Sequence, residues 1–168
     1  SIAINDFYLD IRRIRIRGNE YFFSVEDITA CSSIGTALKE LTMDVEIGPH
    51  GASVENLHIE TTGSDVKGKM AIYIPAVEER DSSRGWIKDI SIDLKIDQGV
   101  IDPDEIAPLF PRYKGLPPIH LSTNTTYASG VAHIRHMNLW SPNIFTIKGY
   151  GDIDTRRDSI SSTSSKLI

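Results

Sequence analysis

Val54–Pro75 reads VENLHIETTGSDVKGKMAIYIP, a strand, a polar turn and a second strand. Leu57 and Ile59 alternate with His58 and Glu60, until Thr61-Thr62-Gly63-Ser64-Asp65 interrupts the run. Beyond Val66, Lys67 and Gly68, the residues Met70, Ile72 and Ile74 alternate with Lys69, Ala71 and Tyr73. Successive side chains of a strand point to opposite faces, so a period of two means a sheet with one apolar and one wetter face.

The same period extends in both directions. Upstream, Leu41, Met43, Val45 and Ile47 alternate with Thr42, Asp44 and Glu46, and Gly48-Pro49-His50-Gly51 turns the chain into the hairpin. Tyr21, Phe23 and Val25 predict a further strand that gives way to an irregular stretch through Cys31-Ser32-Ser33. In the first segment the apolar phase slips near Asp6, between Ile4 and Phe7, as a β-bulge would make it do. Ile14 and Ile16 then fall on one face and Arg12, Arg13, Arg15 and Arg17 around them, before Gly18-Asn19 turns.

Downstream, the charged segment 78–85 reads as a hairpin tip. Ile90, Ile92, Leu94 and Ile96 alternate with Ser91, Asp93 and Lys95, and Gln98-Gly99 ends that run. Asp102-Pro103-Asp104-Glu105 is a helix start, with Asp102 as cap, Pro103 in the first turn and Glu105 at the capping-box position. Pro108 and Pro111 hold the helix to a short piece near 103–110. Ile119, Leu121, Thr123 and Thr125 then share a face, and Phe145 and Ile147 share one in the closing hairpin.

Short links between strands imply antiparallel neighbours. The expected fold is mainly β: an antiparallel, strongly curved sheet, open trough or sandwich-like, built from weak repeats. One β-rich domain over 1–153 is followed by a polar, Ser-rich tail over 154–168. The repeat is carried by Asn56-Leu57, Val66-Lys67-Gly68 and Ile72, which recur as Asn138-Leu139, Ile147-Lys148-Gly149 and Ile153. A repeated unit of this kind predicts an array from which the chain is an internal piece.

A net charge of −5 and a pI near 5.5 argue against a general nucleic-acid binder. With Cys31 as its one cysteine, the chain forms no intrachain disulfide and no cysteine-based zinc site. Asp102, Asp104 and Glu105 invite a metal or acid–base reading, but capping accounts for their placement. His133 and His136, three apart on a strand, are expected on opposite faces and so unable to share an ion. The arginine-rich face of the first strand could take a phosphate or lipid head group, or simply be solvated. Asn124-Thr125-Thr126 fits a glycosylation sequon, a short pattern with many chance matches. These residues predict neither an enzyme nor a cofactor or metal site.

The hairpin segments 61–68 and 145–153, TTGSDVKG and FTIKGYGDI, resemble the repeated hairpin of the AsmA-like and TamB-type envelope proteins. The capped stretch from Asp102 to Pro111 is similar to the short helix between repeats of that family. The resemblance covers roughly 38–153 and implies a segment of a long β-rich protein of the Gram-negative envelope, anchored in the inner membrane and lying in the periplasm. It also implies transport of phospholipid or another acyl-chain ligand along an apolar groove, or help to outer-membrane assembly proteins.

The expected groove is lined by the alternating apolar residues: Leu41, Met43, Val45 and Ile47, Leu57 and Ile59, Met70, Ile72 and Ile74. It continues through Ile90, Ile92, Leu94 and Ile96, then Ile119, Leu121, Phe145 and Ile147. A second expectation, from a different class, is a protein-binding scaffold that receives a client strand at a free sheet edge.

Overall fold

The computed structural model describes residues 4–33, 35–75 and 90–155. The charged segment 78–85 and most of the Ser-rich tail lie outside these residues. The described chain is one sheet of nine strands in sequential order: β1 (Ile4–Arg17), β2 (Glu20–Ser32), β3 (Ala37–Gly48), β4 (Gly51–Thr61), β5 (Asp65–Tyr73), β6 (Ser91–Ile101), β7 (Ile119–Ala128), β8 (Val131–Ser141) and β9 (Phe145–Asp154). Every pair is antiparallel, and the sheet is not closed. Extensive contacts run only between consecutive strands, so among the described residues no second sheet lies over the first. The sandwich-like alternative is thereby replaced by an open single layer.

Bulges keep that layer in phase. Asp6 has a left-handed φ of 51°, and the β1–β2 register slips between Asn5 and Tyr8, as the sequence predicts. A second slip in β1 brackets Arg13, whose φ is 57°. It puts Arg12 opposite Ser24 and Arg15 opposite Phe22, with the arginine guanidinium 4.9 Å from the ring centre.

Two strands run further than their composition suggests. Strand β2 continues through Cys31 and Ser32 because β1 and β3 offer it a ladder on both sides: Ser32 pairs with Ile4, and Cys31 with both Asn5 and Ala37. Strand β6 passes Gln98-Gly99 and ends at Ile101, with a bulge absorbing the break. Gly99 is buried there between Val66 and Leu121. Backbone pairing on both sides outweighs the weak strand preference of Ser, Gln and Gly.

The expected short helix is present as a 3₁₀ turn over Pro103–Glu105, continued by single turns to Phe110 and a second 3₁₀ turn over Pro111–Tyr113. Asp102 caps it by accepting from the Asp104 N–H at 2.9 Å. Pro103 is fully buried and Ala107 nearly so, anchoring the start of the segment, while Leu109 and Phe110 further along are exposed.

The internal repeat is visible as geometry. In the β4–β5 hairpin, Glu55 and Asn56 face the single residue Lys69, and in β8–β9, Arg135 and His136 face the single Tyr150. Gly68 and Gly149 occupy the same place beside these bulges, opposite Leu57 and Met137. The equivalence therefore runs from Leu57 to Met137, two residues away from the Asn138-Leu139 match that the letters suggest. Hydrogen-bond register, and not residue identity, decides it.

The two glycines differ in their surroundings, which gives a paired test. A Cβ on Gly68 would overlap the Lys95 carbonyl and stand 3.1 Å from the Ile96 Cα, whereas one on Gly149 would meet only the flexible Met137 Cε at 3.6 Å. Gly68→Ala should destabilise by about 1–3 kcal/mol. Gly149→Ala should cause no loss in a thermal melt. Equal effects would remove the close strand approach as the reason for Gly68.

Candidate functional site

The alternation of apolar residues becomes rows across the sheet, because directly paired residues of neighbouring strands point to the same side. One row runs Phe23, Val45, Val54, Met70, Leu94, Thr125, Ile134 and Gly151. A neighbouring row runs Tyr21, Ile47, Ala52, Ile72, Ile92, Tyr127, Ala132 and Ile153. On the other side of the first lie Leu57, Gly68, Ile96, Thr123, Met137 and Gly149. Beyond them lie Leu41, Ile59, Val66, Gly99, Leu121, Leu139 and Ile147.

The expected groove residues thus share one face. Met43 stands between Leu41 and Val45 on β3, opposite Val25. Ile119 pairs with Ile101, and Phe145 with Ser141, at the strand ends. Ile74 and Ile90 fall just beyond the ends of β5 and β6 and extend the face no further in regular pairing. Sequence reading missed Val54, Val66, Ile134, Met137 and Leu139. Bulges shift Val54 and Ile134 relative to the residues around them, whereas Val66 keeps the phase of Met70 and Ile72 across Gly68.

This face is apolar and only partly covered. Val25 and Val45 are buried, yet Ile47 is 42% exposed, Met70 37% and Ile153 39%. Neighbouring side chains on the same sheet shield the middle of the face, and no described strand lies above it.

The opposite face is polar, and a bulge corrects one expectation about it. His133 pairs with Thr126 and His136 with Asn124, two residues apart on β7, so both histidines point to the same, polar side. The extra residue is Arg135. His133 Nδ1 lies 2.7 Å from Asp152 Oδ1, and His136 Nε2 lies 3.1 Å from Ser122 Oγ, so each is engaged by its own neighbour. Further across this face, Asp44 accepts from the hydroxyl of the buried Ser24 and from Asn56 Nδ2 at 2.8 Å. These two hydrogen bonds, Ser24 first, hold the Asp44 carboxyl below its ordinary range.

Glu105 does not close a capping box. Its carboxylate leaves the Asp102 N–H, which donates to Ser64 Oγ at 3.0 Å, and reaches the β4–β5 turn. Thr61 Oγ1 donates to Glu105 Oε2 at 2.7 Å, the Gly63 N–H to Oε1 at 2.9 Å, and the Ser64 hydroxyl to Oε2. A Cβ on Gly63 would collide with the Asp102 carboxylate, so the turn needs glycine for close approach.

The same segment reaches the neighbouring connections. Thr36, before β3, brings its hydroxyl within 3.5 Å of the Glu105 carbonyl, and Ser141, ending β8, donates to the Pro117 carbonyl at 3.2 Å. The β6–β7 connection therefore braces one end of the sheet. The three carboxylates of this segment accept hydrogen bonds from backbone N–H groups and from turn hydroxyls.

Burial pushes the Glu105 carboxyl up, but donors from Ser64, Thr61 and the Gly63 and Thr62 backbone outweigh it, and its titration lies below the ordinary 4.5. A depressed carboxylate adds stability above its unfolded value and loses it as pH falls through the folded one. Thermal melts should therefore show Glu105→Gln less stable than wild type at neutral pH, with the difference shrinking below about pH 4.5. A difference independent of pH would show that the carboxylate charge is not what braces the turn.

Comparison of the chain with protein-family models, with curated proteins and with solved structures finds no match.

Proposed function

We propose that the apolar face of the sheet receives acyl chains, and that the chain serves as a segment of a lipid-carrying β structure. The observation that carries this reading is the single layer: rows of aliphatic side chains cross the sheet with no second layer of described residues over them. Such a face lowers its free energy by meeting another apolar surface. A lipid tail offers about 0.8 kcal/mol per buried methylene without any directed polar contact. The polar opposite face, with its charged and histidine side chains, suits the wet side of such a segment.

The resemblance of the hairpins at 61–68 and 145–153 to AsmA-like and TamB-type proteins supplies the setting. In that setting the full-length protein is anchored in the inner membrane, lies in the periplasm of a Gram-negative envelope, and moves phospholipid toward the outer membrane or aids its assembly proteins. No helix among the described residues is long and apolar enough to cross a membrane, so an anchor would lie elsewhere. The reading needs no enzyme activity.

A second reading, a scaffold for client strands, is favoured by the edge. Among the described residues, strand β1 pairs on one side only, and Ile4, Ile14 and Ile16 on it are each about two-thirds exposed. An extended client could add to it through backbone hydrogen bonds.

Leu94 tests the first reading, since it lies in the middle of the face between Met70 and Thr125. Native mass spectrometry of the chain with phospholipid vesicles should show bound lipid in the wild type. Leu94→Glu should abolish capture and remain folded, because an uncovered face lets the carboxylate reach water. Wild-type protein that carries no lipid would overturn the proposal. Strand addition is distinguished by backbone amide protection appearing on β1 with a client peptide.

A further inference from the structure

On the polar face, one row of directly paired residues consists of acids. Glu40 of β3 lies opposite Glu60 of β4, which lies opposite Asp65 of β5. Like charges directly across a ladder destabilise a sheet, so the row calls for cations. His58, two residues from Glu60 on the same face, lies among them: Nε2 is 3.0 Å from Asp65 Oδ1 and Nδ1 is 3.3 Å from Glu40 Oε1. The ligand atoms of Glu40, His58 and Glu60 all lie within 4.8 Å of one another. The His58 side chain is 18% exposed, with the carboxylates around it more open to solvent.

The histidine contacts carry the argument beyond an acidic patch. A carboxylate only accepts hydrogen bonds, and a neutral imidazole has a single N–H. With Nε2–H donating to Asp65, the Nδ1 lone pair points at the Glu40 carboxylate, acceptor against acceptor. A cation between them resolves this contact. A carboxylate holding one ring nitrogen while the other faces a metal is the usual outer support of a histidine ligand.

We infer that Glu40, His58 and Glu60 form a binding site for a divalent first-row transition ion, with Asp65 as the positioning residue for His58. The imidazole nitrogen favours zinc, nickel or copper over magnesium or calcium, which take oxygen ligands. Three protein ligands leave room for water or a further group, as in open zinc sites. Lys39 Nζ, 3.6 Å from Glu60 Oε1, is the competing cation, and it must release that oxygen when the metal binds.

The test is titration calorimetry with Zn²⁺ on the whole chain, in a Cys31→Ser background because that thiol is exposed. One saturating site is expected. His58→Ala and Glu40→Gln should each weaken it at least tenfold, and Asp65→Asn by about 10- to 100-fold, the range for outer-shell partners. Lys39→Met should tighten it. His133→Ala, on another row of the same face, should leave it unchanged. Circular dichroism confirms that each variant keeps its strands, and Glu40→Gln preserves side-chain shape should His58→Ala disturb the sheet. Zinc binding that is undetectable, unaltered in Glu40→Gln, or lost equally in His133→Ala would overturn the site.

Discussion

Pairing register is the constraint on which the rest of this structure depends. A single antiparallel layer has two faces, and a one-residue slip sends every following side chain to the wrong one. Here most strand pairs contain such a slip, yet Val54, Met70, Leu94 and Ile134 still meet in one row. Each slip is taken up by a bulge, and three of them contain a residue with left-handed φ: Asp6, Arg13 and Asn56. At Asn56 the side chain also donates to Asp44, so one residue both turns the backbone and ties β4 to β3 on the polar side. The apolar face is continuous because the backbone bends to keep it so.

The polar face is not merely a solvated surface. The buried Ser24, with Asp44 and the exposed Asn56, connects β2, β3 and β4 by side-chain hydrogen bonds. Lys69 and Glu55 approach to 3.3 Å, and Lys95 and Asp97 to 2.6 Å. Exposed pairs of this kind add little each. Their collective effect is to balance charge along a sheet that, among the described residues, has no second layer to shield it. Glu40, Glu60 and Asp65 are where that balance is poorest, with Lys39 Nζ and the His58 ring in contact with them.

The end of the sheet is held by a different device. The β6–β7 connection inserts Pro103 and Ala107 and uses the Glu105 carboxylate to gather the β4–β5 turn. In a layer whose extensive contacts, among the described residues, run only between consecutive strands, this is a link between connections several strands apart. It limits how far that end of the sheet can splay. The brace is made of hydrogen bonds at the turns, with Thr61 contributing from the end of the apolar face.

The sequence by itself determined the class of structure. Strict alternation at Leu41–Ile47, Met70–Ile72 and Ile92–Ile96, with glycine turns between, leaves little but antiparallel strands, because only a two-residue period puts those side chains on one face. The bulge at Asp6 and the cap at Asp102 were legible for the same reason, each being a local departure with a local cause. What only the tertiary structure decided involves partners distant in sequence. Arg135 brings His133 and His136 to one face because β7 and β9 pair around it. Glu105 serves the β4–β5 turn and not its own helix because Thr61 and Ser64 arrive there from more than 40 positions away. Alternation puts His58 and Glu60 on one face, but Glu40 meets them only through register with β3. Local periodicity fixes which residues share a face, whereas the ladder fixes which of them meet.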